Sequence, residues 1–285
     1  MNQYMKILED KMKTQPLAED EYLDEASGLA YCSKCHTPRQ ASVELDGVWF
    51  HPPCICQCQV EALEKKKAEE QLRERQQKIA RMKASGLQDA ALRAYTFAND
   101  NGINPEMQRA HTYVEHWAEM KAGSTGLLLW GNVGTGKTFF AGCIANALLD
   151  QGVPVLMTNF ARILNALSSM GFEDKNKYID SFNEYSLLII DDLGMERTTE
   201  FALEQVFNVI DARYRSKLPL IVTTNLTLDE LNNPADLAHA RIYDRVMERC
   251  VPLKINNQNI RELNRAANFE QAKALLSGDK SDSHE

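Results

Sequence analysis

Residues 131–138 form a glycine-rich pattern, Gly131-Asn132-Val133-Gly134-Thr135-Gly136-Lys137-Thr138. It follows an apolar run at residues 126–130 and precedes a helix-like run at residues 139–149. Strand, glycine-rich loop, Gly-Lys-Thr and helix, in this order, are the context in which such a pattern predicts a phosphate-binding P-loop. The alternative, a glycine-rich turn that matches by chance, does not account for the correct flanks.

Each residue type in this stretch has a physical role. The glycines let the backbone turn tightly and come close to a ligand. Backbone N–H groups and the N-terminus of the following helix then face phosphate oxygens. We expect Lys137 to hold the β- and γ-phosphates of a nucleotide and the Thr138 hydroxyl to bind magnesium.

Further apolar runs alternate with helical stretches along the chain. They lie at residues 153–158, 186–190, 218–223 and 251–255. With the run before the P-loop, they predict a three-layer α/β domain around a mainly parallel, five-stranded sheet. Nucleotide would bind at the carboxyl ends of the strands. Residues 92–97 would pack either beside the base or simply in the core.

Two carboxylates follow the apolar residues 187–190. At this distance after a P-loop, Asp191-Asp192 is the Walker B arrangement, and a simple turn is the weaker interpretation. We expect Asp191 to join the magnesium shell, directly or through water. Asp192 would orient or deprotonate the attacking water.

Polar and cationic residues close the same domain. Asn225 follows another buried strand, where it would contact the lytic water or the γ-phosphate, or merely form a turn or helix cap. The residues alone leave both interpretations open. Several arginines follow: Arg241, Arg245, Arg249, Arg261 and Arg265. Such arginines act as phosphate sensors or as fingers supplied to a neighbouring site, although surface ion pairing is the default for any single one.

Composition places the chain among globular proteins of ordinary type. It has 285 residues, 44% hydrophobic and 25% charged, which suits one large or two smaller domains. No apolar run approaches the roughly 20 residues needed to cross a membrane, and the N-terminus lacks an apolar signal core. We therefore predict a cytoplasmic protein with no membrane partner. The net charge of −8 argues against a general nucleic-acid coat but allows a local basic surface.

Five of the seven cysteines fall in one short window. They are Cys32, Cys35, Cys54, Cys56 and Cys58. Two thiolate pairs separated by a short β-like segment suit tetrahedral zinc, and a region this small gains folding energy from a metal. The preferred ligands are Cys32, Cys35, Cys56 and Cys58, with Cys54 as the main competitor and His51 as a weaker one. Free thiols or a redox Cys-x-x-Cys are the alternatives, but no redox-type βαβ pattern surrounds the pair.

These patterns predict four regions: a zinc-binding N-terminal domain at residues 1–58, a connecting helix at 59–86, a nucleotide-binding domain at 87–275 and a disordered tail at 276–285. The helical segment has eight Lys or Arg against five Glu within residues 59–84 and no Gly or Pro. A solvated connecting helix with internal ion pairs is the simpler interpretation, and a nucleic-acid contact is the alternative.

Taken together, the motifs resemble the AAA+ ATPases of the DnaC/IstB group. The resemblance rests on Gly-Asn-Val-Gly-Thr-Gly-Lys-Thr, Leu-Leu-Ile-Ile-Asp-Asp-Leu-Gly, Thr-Thr-Asn-Leu and Arg-Ile-Tyr-Asp-Arg-Val, and covers roughly residues 90–265. This group includes bacterial and phage replicative-helicase loaders and transposition helper ATPases. A cysteine-bearing N-terminal region joined by a charged helix is more similar to the loaders.

The resemblance implies further roles. Asn225 falls at the sensor-1 position, and Arg261 looks like sensor 2 in its own subunit. Arg245 falls at the arginine-finger position, with Arg241 one turn earlier as an assistant. Residues 158–170 look like the extra helical element that favours open spirals or filaments. DNA contacts are expected within residues 196–201, with Thr199 and Phe201 as candidates, although Phe201 also suits a plain core position.

The implied function is an ATPase, slow and stimulated by DNA, that loads a hexameric replicative helicase onto single-stranded DNA. Its cofactors would be ATP, Mg²⁺ and Zn²⁺. The alternatives are an IstB-like transposition helper that binds DNA and recruits a transposase, and a regulatory module whose ATP site is a switch with negligible turnover. One departure concerns hydrolysis: many AAA+ proteins have Asp-Glu where this chain has Asp191-Asp192, and the shorter side chain puts the hydrolysis rate in doubt.

Overall fold

A computed structural model describes residues 17–45, 47–194, 199–257 and 259–262, together with residues 265, 269, 272, 273 and 276. The chain forms two compact units, Met1–Gln77 and Lys78–Glu285. No helix among the described residues is both long and apolar enough to cross a membrane. Apart from residue 276, the predicted tail lies outside the described residues.

Short strands and one long helix make up the N-terminal unit. Strands β1 (Glu21–Leu23) and β2 (Ala30–Cys32) pair antiparallel, as do β3 (Val43–Leu45) and β4 (Val48–Phe50). Helix α1 (Gln57–Gly86) begins two residues before its predicted start, so the last cysteine of the window lies in its first turn. This helix contributes residues to both units, and the predicted domain bounds stay predictions.

The C-terminal unit is built around one sheet. Its strands are β5 (Gly126–Trp130), β6 (Val155–Asn159), β7 (Leu187–Leu193), β8 (Leu220–Thr224) and β9 (Cys250–Lys254). Their order is β6-β7-β8-β5-β9, and every neighbouring pair is parallel. The predicted five-stranded parallel sheet is confirmed. Strand β7 continues through the two Walker B carboxylates, which therefore lie within the strand.

Helices cover both faces of this sheet. They are α2 (Met107–Glu115), α3 (Trp117–Ala122), α4 (Lys137–Asp150), α5 (Phe160–Ser168), α6 (Phe172–Ser181), α7 (Glu200–Ser216), α8 (Leu228–Asn232) and α9 (Leu237–Arg249). Short 3₁₀ helices span Ala90–Ala94, Phe97–Asn99 and Phe182–Glu184. Residues 158–170 contain the end of β6 and helix α5, and their assignment as the extra helical element stays a prediction.

Alternating side chains of each strand feed two separate cores. Leu127 and Leu129 of β5 pack with α2 and α4 on one face, whereas Leu128 packs with α5, α7 and α9 on the other. Successive side chains of a strand point to opposite faces, so a strand covered on both sides reads as a continuous apolar run. Burial on both faces explains why the apolar runs identify these strands. The sheet with helices on each of its two faces forms the three predicted layers.

A buried arginine joins three elements beneath the sheet. Arg213 of α7 is only 1% exposed, and its guanidinium donates to the carbonyl oxygens of Phe182, Tyr185, Ser186 and Pro219 at 2.8–3.2 Å. Burial lowers the pKa of Arg213 to about 10. The guanidinium thus bonds to buried carbonyls just before β7 and β8, two of which, those of Phe182 and Pro219, also accept backbone N–H groups.

Candidate ATP site and cysteine cluster

The glycine-rich loop has a backbone that only glycine adopts readily. Gly131, Gly134 and Gly136 have φ angles of +144°, +80° and +94°. A Cβ atom on Gly131 would lie 2.5 Å from the carbonyl oxygen of Ile255, so a side chain there would collide with backbone as well as strain it. Gly136 caps α4, whose N-terminal N–H groups face the loop. This is the geometry of an anion site.

Lys137 folds back over the loop and is buried, at 5% exposure. Its Nζ donates to the carbonyl oxygens of Gly131 and Asn132, both at 2.8 Å, and to Oδ1 of Asn225 at 2.7 Å. Burial lowers the pKa of Lys137, with nearby carboxylates opposing the shift. The structure thus brings the P-loop lysine and the predicted sensor asparagine into direct contact.

The Walker B carboxylate contacts the P-loop threonine. The Thr138 hydroxyl donates to both carboxylate oxygens of Asp191 at 3.1 Å. A second hydroxyl, from Thr223 on the neighbouring strand, donates to Asp191 Oδ1 at 2.6 Å. Burial raises the pKa of Asp191, and the bond from Thr223 opposes that shift. A hydroxyl and a carboxylate side by side are the oxygen donors that Mg²⁺ takes, so these residues fit the metal that the family implies.

Asp192 adopts a backbone conformation that is rare for a residue with a side chain. Its φ is +60°, in the left-handed region. Its backbone N–H donates to Thr223 Oγ1 at 2.9 Å, and its side chain lines the cavity described next. Thr223 was not among the predicted site residues, although the polar pair Thr223-Thr224 at the end of an apolar strand is a signal that points to it.

A cavity of about 480 Å³ extends from the P-loop. Its phosphate end is lined by Lys137, Thr138, Asp192, Asn225 and Arg261, so it joins the predicted P-loop, Walker B, sensor-1 and sensor-2 residues. The other end is lined by Tyr95, Asn99, Asp100, Asn101, Asn104, Val133, Phe139 and Ile260. Within the predicted segment 92–97, Tyr95 therefore lies at the cavity while Leu92 packs against the core. The polar residues after Tyr95 were not among the predicted site residues.

Arg245 lies apart from this cavity, on α9. Its Nε donates to Asp211 Oδ1 at 2.9 Å, and its guanidinium carbon lies 4.7 Å from the centre of the Phe207 ring. With Arg241 and Asp244 it lines a separate hollow of about 400 Å³. Placement outside the cavity is what a finger acting on a neighbouring subunit requires, and the structure alone leaves that role a prediction.

Four cysteine sulfur atoms of the N-terminal unit converge. The sulfurs of Cys32, Cys35, Cys56 and Cys58 all lie within 4.8 Å of one another. Four sulfurs arranged tetrahedrally at about 2.3 Å from zinc lie about 3.8 Å apart, so the cluster fits the metal. Cys54 points elsewhere, with its Sγ 3.4 Å from the Pro38 carbonyl oxygen.

Hydrogen bonds shift the pKa values of two of these thiols in opposite directions. The Thr37 hydroxyl, 3.1 Å from Cys35 Sγ, lowers the pKa of Cys35 to about 5. The sulfur of Cys56, 3.2 Å from that of Cys58, raises the pKa of Cys58 to about 12. Four thiolates this close repel one another unless a cation lies among them, which suits a dication. His51 is engaged elsewhere, with Nδ1 3.1 Å from Ser42 Oγ.

The predicted DNA-contact stretch is only partly within the described residues. Residues 195–198 lie outside them. The Thr199 hydroxyl accepts from the N–H of Ala202 and caps α7. Phe201 is 39% exposed, and Lys175 Nζ lies 4.8 Å from the centre of its ring.

Comparison with known proteins gives consistent matches. The family model described as IstB-like ATP binding protein matches residues 58–268. The chain is 26% identical over 280 residues to the replicative helicase loader DnaI of Bacillus subtilis (strain 168), covering 90% of this chain and 86% of that protein. It is 27% identical over 143 residues to the replicative helicase loader DnaC of Escherichia coli (strain K12), covering 49% of this chain and 56% of that protein.

A solved structure supports the same fold. The crystal structure of DnaI aligns with a TM-score of 0.50 and 21% identity, covering 60% of this chain and 93% of that one. The predicted AAA+ P-loop fold and the resemblance to the DnaC/IstB group are confirmed.

Proposed function

This chain belongs to the family of IstB-like ATP binding proteins, and on that premise we propose that it is an ATPase that loads a replicative DNA helicase onto single-stranded DNA. One observation carries the proposal. The match to the loader DnaI covers 90% of the 285 residues, which is about 257 residues. From residue 58, where the family model begins, to the end of the chain there are only 228 residues. The likeness to a loader therefore extends into the cysteine-bearing region, of which the family model includes only Cys58.

The ATP site supplies the groups that phosphoryl transfer needs. Lys137 binds the β- and γ-phosphate oxygens in place of its present oxygen partners. Thr138 and Asp191 would hold Mg²⁺, which would neutralise charge on the phosphates. Asp192 orients the attacking water and accepts its proton, and Asn225 hydrogen-bonds that water or the γ-phosphate.

Arginines make the site depend on assembly. Arg261, at the phosphate end of the cavity, contacts the γ-phosphate within its own subunit. Arg245 completes the site of an adjacent subunit, with Arg241 beside it, and subunits associate in an open spiral or filament. Hydrolysis is slow in the isolated protein and stimulated by single-stranded DNA, so ATP acts as an assembly signal whose hydrolysis releases the loader.

The N-terminal region would be the part that binds the helicase hexamer. Zinc held by Cys32, Cys35, Cys56 and Cys58 replaces the apolar core that a region of this size cannot build. In this proposal the region comprises residues 1–58, with the connecting helix at 59–86 and the ATPase domain at 87–275. The protein acts in the cytoplasm.

Single-stranded DNA would lie along the inner side of the assembly. Phe201 with Lys175 over its ring offers an aromatic face and a cation, the two elements that hold unpaired strands by stacking and charge. Thr199, at the N-terminus of α7, would donate a hydrogen bond to a backbone phosphate.

A transposition helper remains the second candidate, because the matching family model is named after IstB. Co-purification separates the two. We expect the full chain, with ATP and Mg²⁺, to form a complex with the replicative helicase of its own organism, and a Cys32→Ser, Cys56→Ser double variant to lose it. Capture of a transposase on duplex DNA, with no helicase complex, would favour the helper. Absence of ATP turnover with and without single-stranded DNA would favour a passive switch.

A further inference from the structure

One buried hydroxyl bonds to both Walker B residues, to the carboxylate of Asp191 and to the backbone of Asp192. Thr223 of β8 has no exposed surface. Its Oγ1 donates to Asp191 Oδ1 at 2.6 Å and accepts the backbone N–H of Asp192 at 2.9 Å. A hydroxyl has one donor and two acceptor sites, so the donor and one acceptor are committed to these neighbouring residues.

Packing alone does not call for a hydroxyl at this position. The rest of β8 is apolar up to residue 222, and valine has nearly the shape of threonine without the polar atom. A buried hydroxyl is unfavourable unless it is hydrogen-bonded. The two bonds therefore define what this side chain contributes beyond filling space.

The second of these bonds acts on an unusual backbone. Asp192 has a φ of +60°, a left-handed conformation that is unfavourable for a residue with a side chain and persists where surrounding contacts hold it. This conformation directs the Asp192 side chain to the cavity while Asp191 faces Thr138. Holding the N–H of Asp192 thus sets where its carboxylate lies.

We propose that Thr223 is a positioning residue for both carboxylates: it orients Asp191 through its side chain and Asp192 through its backbone. The same strand end carries Asn225, whose oxygen accepts from Lys137 at 2.7 Å. Strand β8 therefore links Asn225, the proposed sensor of the phosphates, with Asp191 and Asp192, the proposed ligands of the metal and the water. This inference rests on the proposed ATPase function and adds a residue to its machinery.

The test compares Thr223→Val, which removes both bonds but keeps a β-branched side chain, with Thr223→Ser, which keeps the hydroxyl. Calorimetry measures ATP affinity in EDTA and in Mg²⁺, and single-turnover assays measure hydrolysis. We expect Thr223→Val to bind ATP in EDTA like the wild type, to lose most of the Mg²⁺-dependent gain in affinity, and to hydrolyse about 10- to 100-fold more slowly. Thr223→Ser should stay within about threefold of the wild type in all three.

Several outcomes would overturn the proposal. One is wild-type hydrolysis and Mg²⁺ dependence in Thr223→Val. Another is an equal loss of hydrolysis in Thr223→Val and Thr223→Ser. A third is a loss of ATP affinity in EDTA as large as that in Mg²⁺. Either of these two would show a purely structural role. Thermal unfolding of both variants controls for folding. If the wild type itself proved inactive in hydrolysis, the proposed ATPase would fail, while the Mg²⁺ dependence of ATP binding would still decide the role of Thr223.

Discussion

The ammonium nitrogen of Lys137 lies 2.7 Å from Oδ1 of Asn225. The same nitrogen also donates to the carbonyl oxygens of Gly131 and Asn132. These three acceptors engage all three N–H donors of the lysine. Phosphate oxygens must therefore replace at least one of these partners when nucleotide binds. If a phosphate oxygen replaces Asn225 as the partner of Lys137, the Asn225 amide becomes free to bond to the γ-phosphate or to the attacking water. Binding of the phosphates and their detection by Asn225 would then be one exchange of hydrogen bonds.

Replacing Asn225 with alanine should separate binding from hydrolysis. The variant frees Lys137 from one competitor, so we expect ATP affinity within about threefold of the wild type. Hydrolysis should fall about 10- to 100-fold because the water or γ-phosphate loses a hydrogen-bond partner. Calorimetry and a phosphate-release assay measure the two. Asn233→Ala, in which the lost side chain bonds to Asp229 and lies outside the ATP cavity, is the matched control. Loss of ATP binding in Asn225→Ala would contradict the exchange.

Arg245→Ala should keep ATP binding and lose hydrolysis by at least about 100-fold, because the finger acts on a neighbour's site. Mixing it with Lys137→Ala provides the sharper measurement. Arg245→Ala has an intact ATP site but no arginine finger, whereas Lys137→Ala has the finger but no functional ATP site. The mixture should therefore regain hydrolysis that neither variant shows alone.

Asp211→Ala is the control for Arg245, since it removes the partner that holds the guanidinium and leaves the arginine in place. It should retain most of the hydrolysis. Equal losses in Asp211→Ala and Arg245→Ala, without recovery on mixing, would make Arg245 a structural ion-pair residue.

Zinc content should distinguish Cys56 from Cys54. The sulfur of Cys56 belongs to the four-sulfur cluster, whereas that of Cys54 faces the Pro38 carbonyl. Cys56→Ser should therefore lose the metal and Cys54→Ser should keep about one zinc ion per chain. Metal analysis of the purified full chain measures both. A loss of zinc in Cys54→Ser with retention in Cys56→Ser would reverse the assignment.

Arg213→Met should lower the free energy of unfolding of the ATPase domain by about 2–4 kcal/mol, because four buried carbonyl oxygens would lose their hydrogen bonds from the guanidinium. Urea unfolding measures the change. Arg109→Met, at an exposed helix position with an ion pair to Glu106, should shift the midpoint little. A similar small shift for Arg213→Met would show that water replaces the guanidinium.

The apolar runs predicted the sheet because parallel strands covered on both faces must be apolar throughout. The P-loop and Walker B followed from residue types that phosphate and magnesium require. Thr223 was missed because its importance depends on the neighbouring strand: Leu220–Thr224 pairs with Leu187–Leu193 with a register shift after Ile190, which only the folded sheet reveals.

Arg213 was missed for a related reason. A single arginine in an amphipathic helix is usually solvated, and nothing local shows that four carbonyl oxygens from distant segments meet it. Conversely, the spacing of Cys54, Cys56 and Cys58 left open which of them bind the metal. The three cysteines are evenly spaced, and what separates them is the direction in which each side chain points. The fold supplies that direction.

Helicase loading is the activity that the proposed function requires of this chain. The measurement is the amount of replicative helicase of the same organism that becomes bound to closed circular single-stranded DNA coated with single-strand-binding protein, with ATP and Mg²⁺ present. We predict loading that requires this chain, is abolished by Lys137→Ala, and is unchanged by Lys121→Ala, a substitution at an exposed position outside the ATP site. Full loading by Lys137→Ala, or no loading by the wild-type chain with its own helicase, would contradict the account.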